Sequence, residues 1–413
     1  MSTFYRRNAC AIVATLVALT VALTACASSS AKSSSSGTAA SASTASASCI
    51  PAASKKLPGD PNHVAATLTG AAKTAIEGYP GTVYKSPWAN FKPKTKGPWK
   101  VGLSINQPGS YPQGVQQGLK VWAAQNKGKI SGITVLQTST PNSVSEQIQD
   151  MRTLLSKHVS VIFAFLSSPT GLNAVIDQAA KQGVPVISIA GSSTDKNAIN
   201  LQPNPTQLGY DGAAGLVNAM GGKSGSVLVV HGIPGITFDS QVVNPGLAVL
   251  KACHDTIAGS LTGYFVAPSA KSATLQYLSS HPATVNGVFE ASGMASGVIS
   301  AFQQLGRTVP PVADVNPVAA SLVYWQQHES SYNGSGVAIA PERTGEYSMA
   351  IALALLEGRG IKITDVPFAP PIITKANLSQ WVQKGWTAST TVEANGPTTA
   401  LPIDQLVNEY ATK

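Results

Sequence analysis

The residues in this 413-residue chain whose types could do chemistry do not have the spacing that chemistry needs. Gly221-Gly222-Lys223-Ser224 carries the lysine and hydroxyl of a phosphate-cradling loop. Such a loop also needs a glycine five positions before Gly222, so that backbone N–H groups can wrap the phosphates, and Val217 stands there. A turn after a helix fits these residues better. His231-Gly232 is reminiscent of an oxyanion segment, but the chain has no G-x-S-x-G elbow to supply a nucleophile. The histidines (His63, His158, His231, His254, His281 and His328) are scattered, and none pairs at metal-ligand spacing. The expectation is therefore a binding protein, not an enzyme, with no metal and no cofactor.

The cysteines have chemistry of a different kind. Arg6 and Arg7 precede an uncharged stretch, Ala9–Ala25, that ends Leu23-Thr24-Ala25-Cys26. The stretch suits a secretory leader and is short for a spanning helix, which needs roughly 20 apolar residues. Small residues before the cysteine resemble the lipobox of bacterial lipoproteins. That resemblance implies removal of residues 1–25, a diacylglycerol on Cys26, and an extracytoplasmic protein anchored to the cell membrane. Residues 26–48 are nearly all Ser, Ala, Thr and Gly, which cannot pack a core. As a flexible tether they would span about 25 Å. Cys49 and Cys253 remain. In an oxidising exterior they either form a disulfide or stand as one buried and one mobile thiol, and both readings are open.

The formal net charge is +9, spread over a chain with only 11% charged residues. That is a sparse positive bias, with no nucleic-acid signature. Lys92, Lys94, Lys96 and Lys100 read as a solvated linker. Beyond the leader, no run of 18 apolar residues lacks charges and turn signals, so no transmembrane helix is expected.

From Trp99 onward, strand-like and helix-like segments alternate. Strands are expected at 100–106, 132–138, 159–166, 184–190, 226–231, 256–259, 287–290, 311–314 and 336–340. Helices are expected between them, with Ser143 and Glu146 spaced as a capping box. Each cycle takes about 25–30 residues, the length of a βαβ unit. Alternation of this kind predicts an α/β protein with parallel sheets covered by helices on both faces. An interruption near residue 204 argues for two sheets. Residues 49–98 do not follow the pattern. Val64–Ile76 reads as one helix, and the Tyr-, Trp- and Pro-rich remainder as an extended strap with a structural role.

Taken in order, KVGLSIN, SEQIQDMRTLLSKHVSVIFAF, SSPTGLNAVIDQAAKQGVPVISIA, QLGYDGAAGLVNAM, SVLVVHGIPG, VNGVFEASGMASGVISAF and VADVNP resemble the type I periplasmic binding proteins, of the ribose- and sugar-binding cluster. The resemblance covers roughly residues 99–375. It implies two doubly wound lobes joined by a three-crossing hinge. Lobe 1 would be 99–204 with 341–360, lobe 2 would be 205–340 with 361–375, and 376–413 would be a C-terminal extension. It further implies a monomer that traps a sugar or sugar-like molecule by hinge closure and hands it to an ABC permease. A sensing lipoprotein that reports to a membrane kinase would share the whole fold.

Site residues follow from the motif positions. Asn106, Gln107 and Tyr111 would contact ligand after the first strand. Ser168 falls where ribose-type proteins carry Asn, Ala190 and Gly191 where they carry an Asp-Arg pair, and Ser192 follows. In lobe 2, Ser292 falls at an Asn position and Asp314 at the sugar-binding Asp, with Phe238, Glu290 and Asn316 on neighbouring loops. Loss of the Asp-Arg pair removes charge-assisted bonds. It points to a larger, modified or partly apolar ligand.

Overall fold

The computed structural model describes residues 47–189, 191–397 and 402–412. The leader, Cys26, the tether as far as residue 46, and Ala190 lie outside the described residues.

Two six-stranded sheets organise the chain. In order, the strands are β1 Trp99–Ile105, β2 Ile130–Gln137, β3 Val161–Ala164, β4 Val186–Ile189, β5 Ala198–Pro203, β6 Ser226–His231, β7 Thr256–Thr262, β8 Gly287–Glu290, β9 Val312–Val315, β10 Ser335–Val337, β11 Asp365–Phe368 and β12 Ile372–Ile373. The first sheet runs β11-β5-β4-β3-β1-β2 and the second β12-β10-β9-β8-β6-β7. Every pairing is parallel except β12, which lies antiparallel to β10. Central strands such as β3 (Val-Ile-Phe-Ala) and β4 (Val-Ile-Ser-Ile) are buried throughout. Helices cover both of their faces, so almost no polar position survives. The edge strands β2 and β7 are half-buried and mixed in sequence.

Glycines set the helix spacing. A Cβ on Gly118 would lie 1.8 Å from the Glu342 carbonyl oxygen, and one on Gly209 would lie 1.8 Å from that of Val242. Helix Ser110–Gln125 therefore sits directly against Pro341–Leu356, and Pro205–Ala219 against Thr237–Ala252. At the expected capping box, Ser143 accepts from the Glu146 N–H at 3.4 Å, but the Glu146 carboxylate turns to the Ser139 and Thr140 N–H groups instead.

The boundaries differ from expectation at three places. Residues 361–375 do not all belong to lobe 2, because β11 pairs with β5 in the first sheet and only β12 joins the second. The crossings thus fall at 203–205, 337–341 and 368–372. Strand β5 escapes a sequence reading because Asn200 and Gln202 are buried in it, and β11 because it contains Pro367. A strand proline is tolerated at a sheet edge, where no ladder N–H is needed. Residues 376–413 are not one extension either. Leu378, Trp381 and Ala394 pack with Leu322, Trp325 and Tyr332 on lobe 2. The last helix, Ile403–Tyr410, instead joins the core of lobe 1 through Leu406 and Tyr410.

The strap forms no single helix over 64–76. It is a 3-10 turn, Ala65–Thr67, then a short helix, Gly70–Ile76, with Gly70 at φ +55° between them. It runs antiparallel to residues 362–364, just ahead of β11, where an exposed edge would otherwise invite pairing. The Ser86 N–H donates to the Lys362 carbonyl at 3.0 Å, and the Tyr84 carbonyl accepts from the Thr364 N–H at 2.9 Å. The start of the strap lies on the other lobe. Cys49 is disulfide-bonded to Cys253, and the Tyr210 hydroxyl donates to the Pro51 carbonyl at 2.7 Å.

Candidate ligand-binding cleft

The C-terminal ends of both sheets face a cleft, as open α/β sheets require of a ligand site. Two cavities, of about 580 and 590 Å³, occupy it. They share Leu166, Ile236 and Phe238 as lining, which makes them adjoining chambers.

The first chamber is aromatic, and each lobe contributes an edge-to-face pair. Tyr111 meets Phe165 from lobe 1, with centroids 5.9 Å apart, and Phe238 meets Phe265 from lobe 2 at 6.1 Å. Tyr264 and Phe265 both hold positive φ, near 58° and 59°. Bulky residues rarely adopt that conformation, and here it turns the loop after β7 towards the cleft. Burial raises the pKa of the Tyr111 phenol well above its ordinary value, and Glu393 nearby adds to the rise.

The polar groups of this chamber are braced from behind. Asn106 donates to the Asn142 side chain at 3.0 Å and to the Leu166 carbonyl at 3.3 Å, and Asn142 donates to Gln107 at 3.3 Å. These bonds lock the loops after β1, β2 and β3 together. Asp239 fixes the loop after β6 by accepting from the Gly232 N–H at 2.6 Å and by pairing with His231 at 2.9 Å. Asn316, only 3% exposed, donates to Glu393 at 2.8 Å, while its own side-chain oxygen has no partner. The other oxygen of Glu393 accepts from the Ser110 hydroxyl at 2.6 Å. Ser110 belongs to lobe 1 and Asn316 to lobe 2, so the Glu393 carboxylate spans the cleft. Burial raises its pKa, and its two bonds oppose the rise.

The second chamber is rich in hydroxyls. Ser168, Gly191 and Ser192 line it from lobe 1, Phe238 and Gln241 from lobe 2, and Pro80, Gly81, Thr82 and Tyr84 from the strap. Lys196 sits over the Tyr84 ring, 4.3 Å from its centroid. On the wall of this chamber, Asp365 accepts from Tyr79 and from Asn200, each at 3.1 Å.

Of the residues expected at the site, Asn106, Gln107, Tyr111, Phe238, Ser292 and Asn316 line the aromatic chamber, and Ser168, Gly191, Ser192 and again Phe238 line the hydroxyl chamber. Glu290 and Asp314 line neither, which corrects the expectation for both. Glu290 is fully buried and accepts from the Val315 N–H at 2.7 Å and the Met294 N–H at 3.1 Å. It holds the loop after β8 in place. Asp314 lies near Tyr332, outside the lining of both chambers, and burial pushes its pKa up to about 7. Burial also raises that of Glu290, helped by the nearby Asp314 charge. Phe165, Tyr264, Phe265, Tyr84 and Glu393 were not anticipated. Phe165 reads as core within an apolar strand, and Glu393 lies in a tail with no motif. Only the Tyr264-Phe265 pair, between a strand and a helix, carries a visible signal.

This fold and cleft define a two-lobed solute-binding protein. Residues 101–360 match the family model of the periplasmic binding protein domain, and the chain belongs to that family. No curated protein matches the sequence significantly. Among solved structures, an ABC transporter solute binding protein from Thermobispora bispora is 23% identical with a TM-score of 0.65, covering 75% of this chain and 94% of its own. A periplasmic solute binding protein from Actinobacillus succinogenes, with bound D-allose, is 19% identical with a TM-score of 0.62, covering 68% and 99%. An ABC transporter solute binding protein from Bacillus halodurans, with bound myo-inositol, is 16% identical with a TM-score of 0.61, covering 69% and 98%. The strap and Glu393 lie outside the matched domain.

Proposed function

We propose that this protein is an extracytoplasmic substrate-binding lipoprotein of an ABC importer. It captures a sugar or sugar-like molecule between its lobes and delivers it to a membrane permease. The reading rests above all on the cleft, where each lobe supplies both ring faces and polar side chains. Rings stack on the apolar face of a pyranose, and amides and hydroxyls bond its rim. D-Allose and myo-inositol, bound by two structural relatives, are ligands of this type. Hinge closure needs only that ligand contact both lobes, which favours the closed state. No step requires a catalytic group. The anchor follows from Cys26, which would keep the trap near its permease.

The test is mass spectrometry of ligand released from the purified protein, followed by thermal-shift titration with a sugar panel. A carbohydrate or polyol that raises the melting temperature in a dose-dependent way is the expected result. Release of a non-carbohydrate ligand, with no shift by any sugar, would exclude the sugar reading. Tight binding of free ribose with no preference for bulkier compounds would exclude the expectation of a larger or modified ligand.

A further inference from the structure

Among the residues lining the aromatic chamber, Glu393 is the only charged side chain. Among the described residues, no lysine, arginine or histidine lies within ion-pair distance of it. The residue is 7% exposed, so water does little to solvate the charge. An ionised carboxylate can accept about four hydrogen bonds, and this one accepts two, from Ser110 and Asn316. The Asn316 side-chain oxygen is a second buried acceptor on the same wall, and it has no donor. A buried charge left this way is costly unless something pairs with it.

The surroundings favour one kind of partner. Tyr111, Phe165, Phe238, Tyr264 and Phe265 line the same chamber. The face of an aromatic ring carries negative electrostatic potential and attracts a cation, most strongly where water is excluded. An ammonium group offers three donors, no acceptor and a full positive charge. It would pair with Glu393, reach the free Asn316 oxygen, and sit among the rings.

We infer that the aromatic chamber takes an ammonium group carried on a sugar-like scaffold, as in an amino sugar, with Glu393 as its counter-ion. The sugar scaffold rests on the function proposed above, whereas the ammonium assignment rests on the chamber alone. Because Glu393 lies outside residues 101–360, this selectivity comes from the chain's own tail and not from the matched domain.

The test is calorimetric titration with matched pairs: D-glucosamine and D-glucose, D-galactosamine and D-galactose, D-mannosamine and D-mannose, with methylammonium, which keeps three N–H donors, as a scaffold-free cation. In at least one pair the amine should bind tenfold or more tightly than its neutral partner, and Glu393→Gln should bring that ratio close to one. Phe238→Leu, which keeps apolar volume but removes a ring face, should weaken the amine several-fold more than the neutral sugar. It serves as the reporter if Glu393→Gln does not fold. Equal or tighter binding of the neutral sugars would overturn the inference and leave the sugar reading standing. An amine preference unaffected by either variant would overturn it too. If no sugar of either kind binds, the sugar reading fails. The ammonium assignment then stands if methylammonium binds and Glu393→Gln abolishes that binding, and falls otherwise.

Discussion

The bond between Cys49 and Cys253 joins residues 204 apart in sequence and ties the strap to lobe 2, while Tyr79, further along the same strap, is hydrogen-bonded to Asp365 in lobe 1. The strap therefore bridges the lobes in addition to the hinge crossings, and it walls one chamber of the cleft on the way.

Removing this bond by Cys49→Ser with Cys253→Ser should destabilise the protein by about 2–5 kcal/mol, since the bond closes a very long loop in the unfolded chain. Urea unfolding of the variant and wild type, with and without reductant, measures the effect. Reductant should lower the wild-type midpoint and leave that of the variant unchanged.

Tyr79 anchors the strap on lobe 1. Its hydroxyl donates to Asp365 at 3.1 Å and accepts from Gln202 at 2.9 Å. Tyr79→Phe keeps the ring but removes one hydrogen bond from each of these two buried partners, a cost of about 1–3 kcal/mol. Limited proteolysis should then cut earlier within residues 56–91 than in the wild type. An unchanged cleavage pattern and midpoint would show that the strap is held by packing alone.

Gly118→Ala would place a methyl 1.8 Å from the Glu342 carbonyl and push two packed helices apart. A loss of roughly 1–3 kcal/mol is expected. Gly132→Ala, on edge strand β2 with nothing within 4 Å of the added carbon, serves as the control and should shift stability by less than about 0.5 kcal/mol.

Asp314 gives the protein a pH dependence of known sign. Its pKa rises from an ordinary 3.8 to about 7 in the fold, because burial penalises the charge. Between those values the native state holds more protons than the unfolded chain, so stability falls as pH rises across that window. Asp314→Asn should flatten this part of the profile, measured by urea unfolding at pH 5 and pH 7.5. A profile as steep as in wild type would assign the dependence to other groups.

The end of strand β9 should separate a structural residue from a ligand-contacting one. Asn316→Ala should weaken ligand binding by about tenfold, as expected for losing a buried hydrogen bond of about 1.4 kcal/mol. Asp314→Asn, which lines neither chamber, should change affinity by less than about twofold. Titration of both variants with the ligand recovered from the protein decides the matter.

The alternation of buried strands with amphipathic helices was legible from local periodicity, because a strand covered on both faces must be apolar along its length, as β3 and β4 are. So were the loops at the strand ends, which place Asn106, Tyr111, Ser292 and Asn316 at the cleft. Strand β5 was not, because buried Asn200 and Gln202 are partnered by the strap and Asp365, groups remote in sequence. Nor could the sequence place Asp314 and Glu290 outside the lining of the cleft. Strand-end position shows that a side chain is near a site, but only the packed sheet decides whether it lines that site. Glu393 is the clearest case. Nothing local marks it, and it enters the cleft only because the tail, seated on lobe 2, brings its carboxylate between Ser110 and Asn316. Periodicity is a local property of the chain and survives in its sequence. The meeting of a strap, a tail and two lobes around one cavity depends on long-range packing, which only the folded structure decides.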